Sequence, residues 1–412
     1  MSAVLDSILA RQMPARIAYA PNYWQWFAHH RNHGTLPGEI AHCRTQLDLI
    51  RHLGLDVFSR NIYCDEQRGW WGGLAESYLA PAGGRELQLP RDQASAGDAG
   101  AGAPAHKNNR VQDPLSGIST REWHDGRDLV IEHTCPTPAG ALTERLRYVW
   151  AESTLVQEKH FVDDYENQLD AFAAFLAARR WQFRPERFAQ WRERAGADGV
   201  VVAGEVCSPL KMLHILLGAQ NATFFLMDQP ERAAELLKLH EEAMLDLVGQ
   251  LVRSGVRVVM CMDNLDAAFH PPHYIEKYSA SFYERAARRC HEHGALLFIH
   301  ACGRQRDNLK LIAGLGVDGL EGVAFPPLGD VQLDEALQLA GEQFIVTGGI
   351  SAKEFERLAT RAEIFACVRE LFARLRPYAN RFILSASCNT PYNAPWEKIL
   401  AFRDAWREFG QV

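Results

Sequence analysis

The sequence predicts an α/β fold, a (β/α)8 TIM barrel with a small antiparallel β insertion between its second and third strands. Three observations support this. Eight short apolar runs end at turn residues, at 16–20, 56–61, 200–206, 256–263, 296–302, 319–323, 344–348 and 381–388. Amphipathic stretches at 229–254, 274–293, 304–314 and 352–376 separate most of the later runs. Chemically distinctive side chains gather where the runs stop, as they do on the C-terminal face of a barrel. Strands alternating with helices argue for parallel βα units, and a count of eight favours the barrel over an open doubly wound sheet.

The first two runs are followed by a long interruption before the third. Its stretch 92–110 is rich in Ala, Gly and Asp and poor in large apolar residues, which predicts a mobile loop. Segments 122–134 and 142–150 alternate like a β-hairpin joined through Pro136-Thr137-Pro138-Ala139-Gly140. The expectation is one domain over 1–412, with 63–153 as an inserted lobe.

Composition narrows the functional class. Of 412 residues, 47% are hydrophobic and 23% charged, which is ordinary for a soluble enzyme. The net charge of −7, without a basic arm or stripe, argues against nucleic-acid binding. No run of apolar residues is long enough to span a membrane, and the first residues lack the pattern of a signal peptide. Nine scattered cysteines suit a reducing, cytoplasmic setting.

Two strand ends carry soft metal ligands: Phe298-Ile299-His300-Ala301-Cys302-Gly303 and Ser385-Ala386-Ser387-Cys388-Asn389. Residues two apart on a strand point the same way, so His300 and Cys302 can grip one ion, and Cys388 completes a His-Cys-Cys set suited to zinc. Glu321, ending the sixth run, is the candidate fourth ligand, one that can yield to substrate. Two thiolates and a carboxylate outweigh the double positive charge of the ion. Such a zinc is a weak acid toward water but keeps a bound thiolate nucleophilic, which favours alkyl transfer to sulfur over hydrolysis.

Other residues invite a site reading beside a structural one. Asp263 and Asn264 end the fourth run and are expected to face the same cavity as catalytic groups, orienting a substrate or a ligand. Glu205 ends the third run, with substrate binding weighed against a capping or lid-anchoring role. Tyr23 and Trp24, with Trp26, suit an aromatic substrate wall or plain packing. His29, His30 and His33 suit a solvated helix, Cys290-His291-Glu292-His293-Gly294 the last turn of a helix, and Asp330 a cap on the helix that follows it.

Taken together, these motifs resemble the uroporphyrinogen decarboxylase superfamily, in its zinc-dependent methyltransferase branch. The resemblance runs from about Ile131 to the end, with a weaker match at Pro21-Asn22-Tyr23-Trp24. Thr137-Pro138-Ala139-Gly140, Met262-Asp263-Asn264, His300-Ala301-Cys302-Gly303, and Cys388 followed by Pro391 and Pro395 carry it. It implies zinc held by His300, Cys302, Cys388 and Glu321. It also implies methyl transfer between a methylated small molecule or methyl-corrinoid and a thiol, corrinoid or folate acceptor. Cobalamin-independent methionine synthases use a similar His-Cys-Glu-Cys set. The chain departs from the decarboxylases in lacking an arginine-rich segment around Tyr19–Phe27. It also lacks an Asp-x-His-x-x-Gly corrinoid signature, so a corrinoid (cobalamin) would arrive on a partner protein. The rival readings are a metal-free decarboxylase or lyase and a non-catalytic, zinc-stabilised binding protein.

Overall fold

The structure is a computed structural model that describes residues 4–60, 74–79, 110–112 and 117–412. Contacts divide the chain into two compact units: Met1–Glu76, Phe183–Lys211 and Met244–Val412 form one, Ser77–Gln182 and Met212–Ala243 the other.

In the first unit all eight expected strands occur. Seven form a parallel sheet in the order Ala18–Tyr19, Phe382–Ala386, Ile345–Ile350, Gly319–Val323, Leu296–His300, Val258–Cys261 and Ala203–Val206. The eighth, Phe58–Ser59, pairs in parallel with Val200–Val201. The expected strand 200–206 is therefore split. Its first half bonds to the second strand, through Val200 N to Val57 O and Val202 N to Ser59 O, and its second half to Val258–Cys261. Among the described residues, one backbone bond, Asp56 N to Tyr19 O at 2.9 Å, links the second strand to the first. The arrangement is α/β and TIM-barrel-like.

Inward-facing side chains of these strands build one apolar cluster: Ala18, Phe58, Val200, Val202, Val258, Met260, Phe298, Ile345 and Ile383. Leu5 and Ile8, from the helix Val4–Leu9, join it. Each is almost wholly buried, and removing such contacts costs about 1.5–3 kcal/mol per large side chain in transfer energy alone.

Helices match the amphipathic stretches, with two breaks. The expected 274–293 helix is two, Pro272–Tyr278 and Ala280–Glu292, separated at Ser279, whose φ of −133° leaves the helical range. It does stop where expected, with Gly294 at φ 68° just beyond the last turn. The expected 352–376 helix is also two, Ala352–Arg357 and Arg361–Leu375. Thr360 opens the second with a capping box onto Glu363, a sequence signal strong enough to restart a helix.

The second unit holds a five-stranded antiparallel sheet of Arg110–Gln112, Ser119–Asp125, Asp128–Thr137, Gly140–Val149 and Thr154–Lys159. The expected hairpin is there, and its strands pair from Leu129 with Tyr148 to Thr137 with Gly140. The expected single strand 122–134 is instead broken by a tight turn at Gly126, where φ is 63°. The loop expected near 92–110 lies outside the described residues except for Arg110, which starts a strand.

Candidate metal centre

The two-residue period of the strands decides which side chains reach the interior. Above the apolar cluster, the next inward position on each strand is often polar. Phe58 is followed by Arg60, Phe298 by His300, Ile345 by Thr347 and Ile383 by Ser385. Glu321 is paired in register with His300 on one side and Thr347 on the other. Arg60, His300, Glu321, Thr347 and Ser385 are all buried.

His300, Cys302 and Cys388 come together. Their ligand atoms lie within 4.8 Å of one another. Nε2 of His300 is 3.1 Å from Sγ of Cys302 and 3.7 Å from Sγ of Cys388, so the ring turns this nitrogen toward both sulfurs. Nδ1 bonds on its other edge to Oε2 of Glu321. That same oxygen accepts from Nε of Arg60 at 3.2 Å. Glu321 thus sits behind the imidazole, outside the three-residue cluster where the sequence placed it as a fourth ligand.

Backbone detail builds the cradle. Gly322 adopts φ 108°, and a Cβ there would lie 2.7 Å from Ser387 O, 2.8 Å from Ala301 O and 3.2 Å from Cε1 of His300. Only glycine lets the three strand ends converge here. Gly303, at φ 89°, leaves room for Asp266, since a Cβ would stand 1.9 Å from its Oδ2. Asn22 reaches the Cys388 loop, with Nδ2 donating to Asn389 Oδ1 at 2.7 Å and to Cys388 O at 3.4 Å. Gln305 donates to Cys302 O at 3.2 Å.

The charges favour a thiolate. A hydrogen bond from Cys302 holds the Cys388 thiol well below the usual range; burial opposes this, and His300 and Arg60 add to it. The same bond, together with burial, pushes Cys302 up. One thiolate is thus favoured in the pair, beside His300 and Arg60. Burial alone would raise Glu321, but the Arg60 charge and His300 hold it down at about 2. Burial and Arg60 press His300 toward neutrality, and Glu321 and Cys388 outweigh them and raise it. Two soft sulfur donors and an imidazole nitrogen, convergent and electron-rich, make a donor set that fits zinc.

The remaining expected residues separate. Asp263 is fully buried and already engaged: Oδ1 accepts from Ser208 N at 2.8 Å and Oδ2 from the Tyr283 hydroxyl. Its neighbours explain the difference from the expected catalytic role. Val258 and Met260 face the interior, so Met262 follows them and Asp263 points to the helices. Asn264 is exposed, in a left-handed turn at φ 47°. Glu205 accepts from Leu74 N at 2.5 Å, the anchoring role weighed beside substrate binding. Tyr23 is buried just before the helix Trp24–His33, Trp24 is buried within it, and Trp26 stacks on Trp396, an interior arrangement rather than a substrate wall. His29, His30 and His33 share that helix, with His29 stacked on His33 and against Tyr392. Asp330 caps Arg306–Gly314 through Gln305 N and Arg306 N, not the helix after it.

Arg60, Asn22 and Gln305 were not singled out as site residues from the sequence. Arg60 had a visible signal, a charge two residues past inward Phe58 at a strand end. Asn22 had none, because its partners lie on a distant segment, and Gln305, three residues past Cys302, carries no residue type that marks a ligand's support.

Comparison with known proteins agrees with the motifs. A family profile described as uroporphyrinogen decarboxylase (URO-D) matches residues 172–409. Among solved structures, a methyltransferase from Methanosarcina mazei superposes with TM-score 0.56 at 13% identity, covering 99% of each chain. A D-psicose 3-epimerase from Clostridium cellulolyticum H10 gives TM-score 0.37 at 12% identity, over 56% of this chain and 86% of its own. A search of curated proteins finds no match. At these identities the structural likenesses speak for the fold, and the first agrees with an α/β, TIM-barrel-like architecture. With more than half of its length matched by the family profile, the chain belongs to the uroporphyrinogen decarboxylase family.

Proposed function

We propose that the chain is a zinc-dependent methyltransferase that moves a methyl group between a methylated small molecule or methyl-corrinoid and a thiol, corrinoid or folate acceptor. The observation that carries the reading is the convergence of His300, Cys302 and Cys388 ligand atoms within 4.8 Å. The family match and the methyltransferase neighbour support the class of reaction.

His300 Nε2 and the sulfurs of Cys302 and Cys388 would hold zinc, which when bound supplies Lewis acidity that keeps a substrate thiol deprotonated near neutral pH. Glu321 fixes the ring of His300 through Nδ1 and makes Nε2 the better donor. Asn22 and Gln305 steady the backbone carbonyls of Cys388 and Cys302. Methyl transfer to sulfur is an in-line displacement: the acceptor thiolate forms the new S–C bond as the donor departs with the old bonding pair. The chain's part is to hold the reactants in line and exclude competing nucleophiles. A corrinoid donor would come on a separate protein.

Elemental analysis with zinc-edge spectroscopy, with and without added thiol, tests the reading. It expects stoichiometric zinc whose spectrum changes when thiol is added. Protein purified under reducing conditions without zinc, yet active as a decarboxylase or lyase, would overturn it.

A further inference from the structure

Arg60 is an unusual neighbour for a cation site. Its side chain is only 4% exposed, and its field reaches both cluster sulfurs and His300. A buried guanidinium beside a metal cluster opposes loading unless its charge is engaged elsewhere. Here Glu321 engages it, through the oxygen that also takes Nδ1 of His300. Two thiolates, one carboxylate, one guanidinium and a divalent ion sum to neutrality, whereas the same site without the arginine carries one negative charge in excess.

The chain makes room for this residue. Phe58 lies in the interior cluster, so strand period turns Arg60 inward. Gly204 stands opposite, where a Cβ would lie 3.2 Å from Cβ of Arg60 and 3.5 Å from the sulfur of Met262. A larger residue at 204 would crowd the guanidinium stem.

We propose that Arg60 is a positioning residue that holds Glu321 on the Nδ1 edge of His300 and so keeps the carboxylate out of the coordination position a thiol substrate takes. The inference rests on the zinc–thiol reading above. Glu321 has two attractive destinations, the guanidinium and the bound cation, and Arg60 decides between them. Without Arg60 the carboxylate loses its ion-pair partner and closes the open position.

The test uses the full chain with zinc, and with cobalt(II) in its place as a spectroscopic probe, titrated with 2-mercaptoethanol. Arg60→Met should keep its metal but show an added oxygen ligand before thiol is present, and should bind the thiol about tenfold more weakly, a change of about 1.4 kcal/mol. The double variant Arg60→Met/Glu321→Gln should lose the added oxygen ligand. An Arg60→Met centre with the wild-type ligand count and thiol affinity overturns the role of Arg60. Should Arg60→Met not fold, the neutral but polar Arg60→Gln carries the test: a shift in the same direction supports the role, and wild-type behaviour overturns it. Wild-type protein whose metal does not respond to thiol overturns the zinc–thiol reading itself, a result separate from either outcome at Arg60.

Discussion

Two neighbouring strand ends, Val258–Cys261 with Asp263 beyond it and Leu296–His300 with Cys302 beyond it, look alike in sequence and behave differently in the structure. Both are apolar runs that stop at polar residues, and they lie side by side in the sheet, Val258 paired with Leu296 and Cys261 with Ile299. On the second, Phe298 faces the interior and His300 follows it to the cluster. On the first, Met260 faces the interior, so Met262 is the inward residue and Asp263 turns outward onto Ser208 and Tyr283. A difference of one residue in where the polar group falls separates a candidate ligand from a structural anchor. Proximity to a strand end is therefore a weaker guide than parity along the strand.

The largest effect that sharpens this contrast is at the ligands. His300→Ala and Cys302→Ser are each expected to abolish zinc binding and methyl transfer together while leaving the fold intact, read by metal analysis, turnover and circular dichroism. A metal-free Cys302→Ser protein with full activity would break the comparison from the ligand side.

Asp263 should respond in the opposite sense. Asp263→Ala strands a buried amide and a buried hydroxyl, and should cost about 3 kcal/mol in a denaturant titration. Activity per zinc-loaded folded molecule should hold. A loss of turnover with unchanged stability would restore the catalytic reading of this residue.

Glu321→Gln is expected to weaken zinc binding about 10–100-fold, since the carboxylate orients His300. It should also change the acid response of the metal-free protein. The folded pKa of Glu321, about 2, lies below its ordinary value of 4.5, so the folded state binds fewer protons in that window. Its contribution to stability is complete above pH 4.5 and disappears as pH falls toward 2. Denaturation curves of the wild type should lose this contribution across the window, and those of Glu321→Gln should lack it throughout.

The smallest expected change is at Asn22. Asn22→Ala removes its bonds to Asn389 and Cys388 O, and should cost about 1 kcal/mol with a modest loss of zinc affinity, checked by denaturation and metal competition.

Much of the fold was legible because it depends on local pattern. Seven of the eight apolar runs became single strands and the run 200–206 two, and Gly294 stops its helix as its type suggests. The breaks were harder to see. Ser279 carries no proline or glycine to announce it, whereas Thr360 with Glu363 did announce a new helix start. In the candidate site, His300, Cys302 and Cys388 were readable because soft ligands two apart on a strand, plus a distant third, form a recognisable set.

Sequence alone determined the strand and helix alternation and the three candidate donor residues, since both follow from residue type and spacing. Tertiary structure decided what surrounds them: that Glu321 lies on the far edge of the imidazole, that Arg60 holds it there, that Asp263 faces away, and that Gly322 lets three strand ends meet. The physical reason is that ion pairs, hydrogen-bond partners and close approaches are made between segments up to several hundred residues apart, and their distances are set only when the sheet fixes each strand's neighbours and register.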